Sequence, residues 1–477
     1  MAGVAGLALA SPPAGAATPR LTLKAKPGLF PRFSIAVHDY VVRCRPRTPV
    51  RLSFDVSSGT TVRVGERVPR GGRFRVAVDL GPGRAVRLAV RTRARTRAYA
   101  IRCLPGGFPR WDVERHRQPQ AHYYVVAPRR GQPGSGYAMI IDDRGVPVWW
   151  KHDRPAPFNS MLLPDGGIAW TQLTNSRFEP SSGHFDEYAL DGAPVRRYVA
   201  DGGRANQHEL SLLPNGHALL ITYDPRYHQD LSRWGGPPDV GILDGNVQEL
   251  DAAGRRVWGW STHGHVGLAE TEPWFHKLLF TQKPIATPGG DVYDTEHLNS
   301  LEPRGDRLVL SLRHTNGVYE VDRRSGRVNW KLGGTRTARS LTVVGDRHDS
   351  HLDGQHDPRL LDHGRRLTVF DNGTLHRRPP RALELRIDRR RRRAKVVSAV
   401  EFRRARVSTC CGSARRLPGG HWVIAWGNTE WVTELTGSGK PVLVLRFRDR
   451  TTYRAQPVLG GRLTRGRLRD AMDAMVR

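Results

Sequence analysis

The chain has 477 residues, a formal net charge of +31, 38% hydrophobic residues, and 51 glycines beside 34 prolines. It is long enough to bury a sizeable core and to form two or three domains. The charge comes almost wholly from arginine and favours anionic ligands, but no nucleic-acid-binding motif accompanies it, and no apolar run is long enough to span a bilayer.

Residues 1–17 are small and apolar and end in Ala14-Gly15-Ala16, an A-x-A cleavage pattern. The charged start of a leader is missing, so they read as a truncated signal peptide and point to export. From 20 to 110, short runs alternate apolar and polar residues (21–24, 50–56, 73–78, 86–90, 98–101) between Gly and Pro. This predicts a small N-terminal β-sandwich. Cys44 and Cys103 follow matching strand-like stretches, Tyr40-Val41-Val42-Arg43 and Tyr99-Ala100-Ile101-Arg102, and are expected to form a disulfide. Cys410 and Cys411 are adjacent, leaving a disulfide between neighbours or two free thiols.

Two hairpin repeats interleave across 111–458. One carries Asp143-Arg144-Gly145-Val146-Pro147-Val148-Trp149, echoed with Trp258 and Trp330 and more weakly at 191–198, 388–397 and 436–445. The other places a distinctive residue eight positions before a turn glycine: Phe158 before Gly166, His208 before Gly216, His297 before Gly305, His356 before Gly364 and Gly412 before Gly420. Two hairpins make a four-stranded blade. The expected fold is therefore all-β, a six-bladed β-propeller with one blade completed across the chain ends. Residues 459–477 read as a tail, with a weak helical pattern over 465–476. The arginine run 389–393 falls at a hairpin tip.

Equivalent inner strands of a propeller point one residue position towards the axis at one height. His208, His297 and His356 should thus converge, with Asn299 on the same side of its strand as His297. Arg313 and Asn372 each stand eight residues after their turn glycines and should return to the same end of the channel. Imidazoles, a guanidinium and amides in one funnel suit a tetrahedral oxyanion. Asp294 is placed to orient an imidazole. Glu209 and Asp357 directly follow histidines, so they should point the other way and bridge blades. Trp149, Trp258 and Trp330 read as core packing.

The set Asp294-x-x-His297-x-Asn299-Ser300, Ser311-Leu312-Arg313, Gly326-x-x-x-Trp330-x-Leu332-Gly333-Gly334, Gln355-His356-Asp357 and Asp371-Asn372-Gly373 resembles the bacterial arylsulfotransferase (arylsulfate sulfotransferase) family over about 110–450. The resemblance implies a propeller enzyme that moves a sulfuryl group from one phenol to another, with small-molecule aryl sulfate donor and phenolic acceptor, and without a nucleotide sulfate donor; no other cofactor and no metal is expected. It makes His356 the transiently sulfated nucleophile, and His208, His297, Asn299 and Arg313 the residues that hold the sulfate. The chemistry further casts Arg313 as a catalytic group neutralising the sulfuryl oxygens, and His208 or His297 as the group that protonates the departing phenolate and deprotonates the incoming phenol. Asp371-Asn372-Gly373 reads as a turn, with Asn372 reaching the pocket as a further substrate contact the alternative. Two other readings compete. Three converging histidines could hold zinc or iron in a hydrolase or oxygenase. Alternatively, an exported non-catalytic propeller could bind anionic polymers.

Overall fold

The computed structural model describes residues 21–130, 134–172, 183–202, 205–348 and 352–476, so the leader-like segment 1–17 lies outside the described residues. Two compact units divide the chain, Met1–Gly106 and Gly107–Arg477.

In the first unit, Leu21–Lys26, Val50–Val56 and Gly72–Val78 form one sheet, and Asp39–Arg43, Thr96–Leu104, Ala85–Arg91 and Thr61–Val64 another. Alternation explains the layering: Val50, Leu52, Phe54 and Val56 are buried while Arg51 and Asp55 face solvent. The buried faces of both sheets meet in one core that includes Tyr40, Phe54, Tyr99 and Ile101, which is the expected sandwich. Cys44 and Cys103 are bonded, their Cα atoms 5.6 Å apart across neighbouring strands. Closing 59 residues is worth about 4 kcal/mol in the chain-entropy account.

Among the described residues, the second unit holds six sheets built on four-stranded antiparallel meanders. In five of them the four strands follow one another along the chain. In the remaining one, Gln456–Val458 pairs with Tyr123–Val126, so the end of the chain supplies the innermost strand. This is the layout of a β-propeller, one sheet to a blade. Its cores lie between sheets. On Arg307–Leu312, residues Leu308, Leu310 and Leu312 pack with Leu219 and Ile221 of the preceding sheet. Val309 packs with Leu367 and Val369 of the following one. Both faces of the strand are covered, so its sequence is apolar almost throughout.

Trp149 and Trp330 are buried. The Trp149 indole N–H donates to the Leu190 carbonyl at 2.7 Å, and the half-buried Trp258 donates to the Arg323 carbonyl at 3.0 Å, each stapling one sheet to the next. The arginine run sits at the turn between Arg381–Asp388 and Arg393–Glu401, as expected. Helix Arg465–Ala474 is present, capped by the Thr464 side chain and packed by Leu468 and Met472. A second helix, Glu272–Phe280, was not foreseen. Pro273 in its first turn and buried Trp274, Phe275 and Leu278 explain it. Among the described residues no helix is long and apolar enough to cross a membrane. Cys410 and Cys411 are also bonded, so all four cysteines are paired, which fits an oxidising, exported setting.

Candidate active site

The heads of the inner strands build the site. His297 enters Leu298–Arg304 with φ 53°, and Asp357 follows His356 with φ 56°. In both strands the register to the neighbour slips at that point. Such bulges re-aim side chains at the rim of a sheet.

The three predicted histidines do gather. The His208 and His297 rings lie 5.0 Å apart. His208 and His356 flank one phenol, Tyr453, at 5.7 and 6.3 Å. Each imidazole has an anchor on Nδ1. His208 donates to Asn206 Oδ1 and His297 to the Asp294 carboxylate. His356 shares its Nδ1 proton between the Gly354 carbonyl at 3.0 Å and Asn372 Oδ1 at 2.9 Å. That fixes its tautomer and leaves Nε2 as the lone-pair nitrogen, which accepts the Cys411 N–H at 3.1 Å.

Arg313 ends its strand in the tight turn Arg313–Thr315 and brings His314 with it. Its guanidinium lies 4.3 Å from the Trp274 ring, donates to His314 Nε2 at 2.5 Å and donates to the Thr409 carbonyl at 2.5 Å. Arg313 Nε is buried with no hydrogen-bond partner among the described residues. An unspent donor on a buried cation is what an incoming oxyanion needs. Asn299 gives its Nδ2 to the Gln355 carbonyl at 2.8 Å, so it also holds the residue before His356. Asn372 differs in role from the expected substrate contact. Its Oδ1 is taken by His356, and its Nδ2 by Ser408 Oγ at 2.7 Å and the Cys411 carbonyl at 3.1 Å. All its polar atoms are engaged in orienting the histidine.

Burial holds His208, His314 and His356 well below the ordinary imidazole range, and Arg313 adds to this in each. His356 is therefore neutral at physiological pH. Burial also brings Arg313 down to about 10, still a cation. For Asp294 burial acts upward, but His297, His314 and Arg313 outweigh it and bring it to about 2.

Beyond His356 runs an ion network. Glu209 meets Arg359 at 2.8 Å and Arg454 at 2.7 Å, while Asp357 meets Arg359 at 2.8 Å and Arg415 at 2.7 Å. Glu209 and Asp357 thus bridge sheets, as their position after a histidine implied. Arg454 adds to the downward push on both His208 and His356.

A cavity of about 650 Å³ opens onto His297, Arg313, His314 and Cys410. Its other wall is apolar, with Leu278, Pro284, Ile285, Val292 and Tyr293. It stops short of His208 and His356, which are 0% and 1% exposed. The described residues spaced to hold a metal are Asp294, His297 and His314, whose ligand atoms lie within 4.8 Å of one another. They fit a cation poorly. His314 spends Nδ1 on the Asp294 carbonyl and Nε2 on Arg313, so a guanidinium already occupies that corner.

Sequence reasoning missed His314, Trp274, Arg454 and Tyr453. His314 was hidden because strand alternation puts it opposite Arg313, and the turn cancels that. Tyr453 had a readable signal. It precedes Gly461 by eight (461 − 453 = 8), a sixth copy of the inner repeat lying across the boundary drawn at 458. Tyr453 therefore heads the sixth inner strand, where it meets Phe158, head of another, at 4.5 Å.

Fold and site together define a propeller with a buried histidine cluster beside the Arg313 cation. Residues 199–448, more than half of the chain, match the family described as Arylsulfotransferase (ASST), and the chain belongs to that family of sulfotransferase enzymes. No curated protein matches it. Among solved structures it is similar to a protein of unknown function from Bacteroides caccae (12% identity, 71% of this chain and 99% of that one, TM-score 0.43). It is also similar to a streptogramin B lyase (10% identity, 72% and 88%, TM-score 0.34). A third is a hypothetical selenium-binding protein from Sulfolobus tokodaii (11% identity, 83% and 93%, TM-score 0.37).

Proposed function

We propose that this exported protein transfers a sulfuryl group from a phenolic sulfate ester to a phenol by a ping-pong route through a sulfated His356. One observation carries the reading: a neutral His356, anchored at Nδ1, offers the Nε2 lone pair in a cluster with Arg313. Nε2 forms the N–S bond while the S–O(aryl) bond breaks, its electron pair leaving on a phenolate whose conjugate acid has a pKa near 10. Arg313 Nε and the guanidinium charge stabilise the sulfuryl oxygens. His297 lines the cavity and is held at Nδ1 by the Asp294 carboxylate, so it is the imidazole placed to pass a proton to the leaving phenolate. His208, neutral and enclosed, acts as a wall and hydrogen-bond partner rather than as the acid. The acceptor phenol then returns its proton to His297 and takes the sulfuryl group from Nε2. The apolar wall of Ile285, Val292 and Tyr293 suits an aryl ring.

The test is incubation with 4-nitrophenyl sulfate, with and without added phenol. Donor alone should give one equivalent of nitrophenolate and a sulfated enzyme visible by mass, and phenol should restart turnover. His356→Asn should abolish both phases; acceptor-dependent transfer by that variant would refute the role of His356.

A further inference from the structure

The segment 408–412 touches three members of the cluster at once. The Thr409 carbonyl accepts from Arg313 Nη2 at 2.5 Å. The Cys411 carbonyl accepts from Asn372 Nδ2 at 3.1 Å, and the Cys411 N–H donates to His356 Nε2 at 3.1 Å. Cys410 lines the cavity that stops short of His356. The cysteine pair therefore spans from the cavity wall to the lone pair that has to attack sulfur. Cys411 is held at φ 68°, a region L-residues avoid, and its side chain is bonded to that of its neighbour.

That N–H cannot keep its partner through the proposed reaction, on which this inference rests. Once the Nε2 lone pair becomes the N–S bond, this half-buried donor loses its acceptor, and leaving it unmet costs free energy. The new acceptors nearest Nε2 are the oxygens of the sulfuryl group itself.

We propose that the Cys411 backbone N–H is a catalytic donor that passes from His356 Nε2 to a sulfuryl oxygen as the N–S bond forms, and that the Cys410–Cys411 disulfide keeps it there. The resting bond also marks the neutral imidazole. Protonated Nε2 would be a donor facing a donor, so the Cys411 amide favours the nucleophilic form. The other groups facing His356 are Arg313, His297, His208, Arg454 and the Tyr453 phenol, and none of them sits on this segment.

The experiment compares wild type with Cys410→Ser, which opens the ring but retains residue 411 and its N–H, and leaves Cys44–Cys103 intact. The readouts are the acceptor-free burst with 4-nitrophenyl sulfate and the pH dependence of kcat/KM, with thermal unfolding as a folding control. The burst rate should fall by about 10–100-fold, part of the 10²–10³-fold attached to one fixed oxyanion donor. KM should change far less, and the acid limb should move to higher pH because His356 protonates more readily. Treating wild type with a dithiol should reproduce the loss. The reagent supplies two electrons and two protons, the S–S bond becomes two thiols, and the dithiol leaves as its own disulfide. Reoxidation should restore the burst. A folded Cys410→Ser whose burst is within threefold of wild type, an unmoved acid limb, or active wild type in which both thiols are found free would overturn the proposal. If wild type gives no burst at all, the reaction itself is wrong; if it bursts and the variant bursts equally, only the donor assignment is.

Discussion

Replacing Arg313 by Met tests the site most directly. The guanidinium contributes a charge beside His356, a fork bonded to His314 and Thr409, and an Nε donor with no partner among the described residues. Two unit charges 4 Å apart in a medium of effective dielectric 20 attract by about 4 kcal/mol. The sulfuryl group is already anionic in the ground state, so only the part of that attraction that grows towards the transition state accelerates the reaction. The expected loss is about 2.7–4 kcal/mol, or 10²–10³-fold in the rate of the acceptor-free burst. A second effect has a definite sign. After burial, Arg313 is the largest cause of the lowered His356 pKa. Without it His356 protonates at higher pH and loses its lone pair, so the acid limb of kcat/KM moves up. Arg313→Lys keeps the charge but not the fork, and should return the limb towards wild type while recovering little of the rate. Stopped-flow nitrophenolate release across pH measures both, with thermal unfolding to exclude collapse of the Trp274 stack. A folded Met variant with a burst within threefold of wild type and an unmoved limb would refute the reasoning.

Asp294→Asn should slow turnover by about 10²-fold, the lower end of a general acid–base contribution, because His297 loses the carboxylate that orients it; the deficit should shrink for donors with more acidic phenols. Gly334→Ala should destabilise the fold by about 1–3 kcal/mol and also slow the burst, since φ is 62° and an added Cβ would collide with the Thr315 carbonyl in the turn that carries Arg313 and His314. Folding stability should fall as pH drops below about 6.5. There the unfolded chain protonates His208, His314 and His356 while the native state does not, a slope of up to about 4 kcal/mol per pH unit for three such groups; denaturant melts between pH 7 and 5 measure it. A chelator should leave acceptor-dependent turnover unchanged, and stoichiometric zinc or iron with activity lost on chelation would favour the metal reading instead.

Much of this protein is written in its spacing. Alternation sets which residues of Val50–Val56 are buried, and which neighbouring sheet each apolar residue of Arg307–Leu312 packs against, because successive side chains of a strand face opposite ways. The eight-residue offset places His208, His297 and His356 at equivalent strand heads, because repeated hairpins of one length put their heads at one height. The same rule puts Tyr453, eight before Gly461, at a further inner strand head. Tertiary structure decided the rest. Whether Asn372 binds substrate or steadies His356 depends on Ser408 and Cys411, 36 and 39 residues further along. His314 joins the cluster only because a three-residue turn breaks the alternation, and Trp274 only because a helix inserted between Arg256–Ser261 and Ile285–Thr287 brings it against the Arg313 guanidinium. Local pattern tells which way a side chain points; how its polar atoms are used depends on partners far away in the chain, and only the folded packing brings those together.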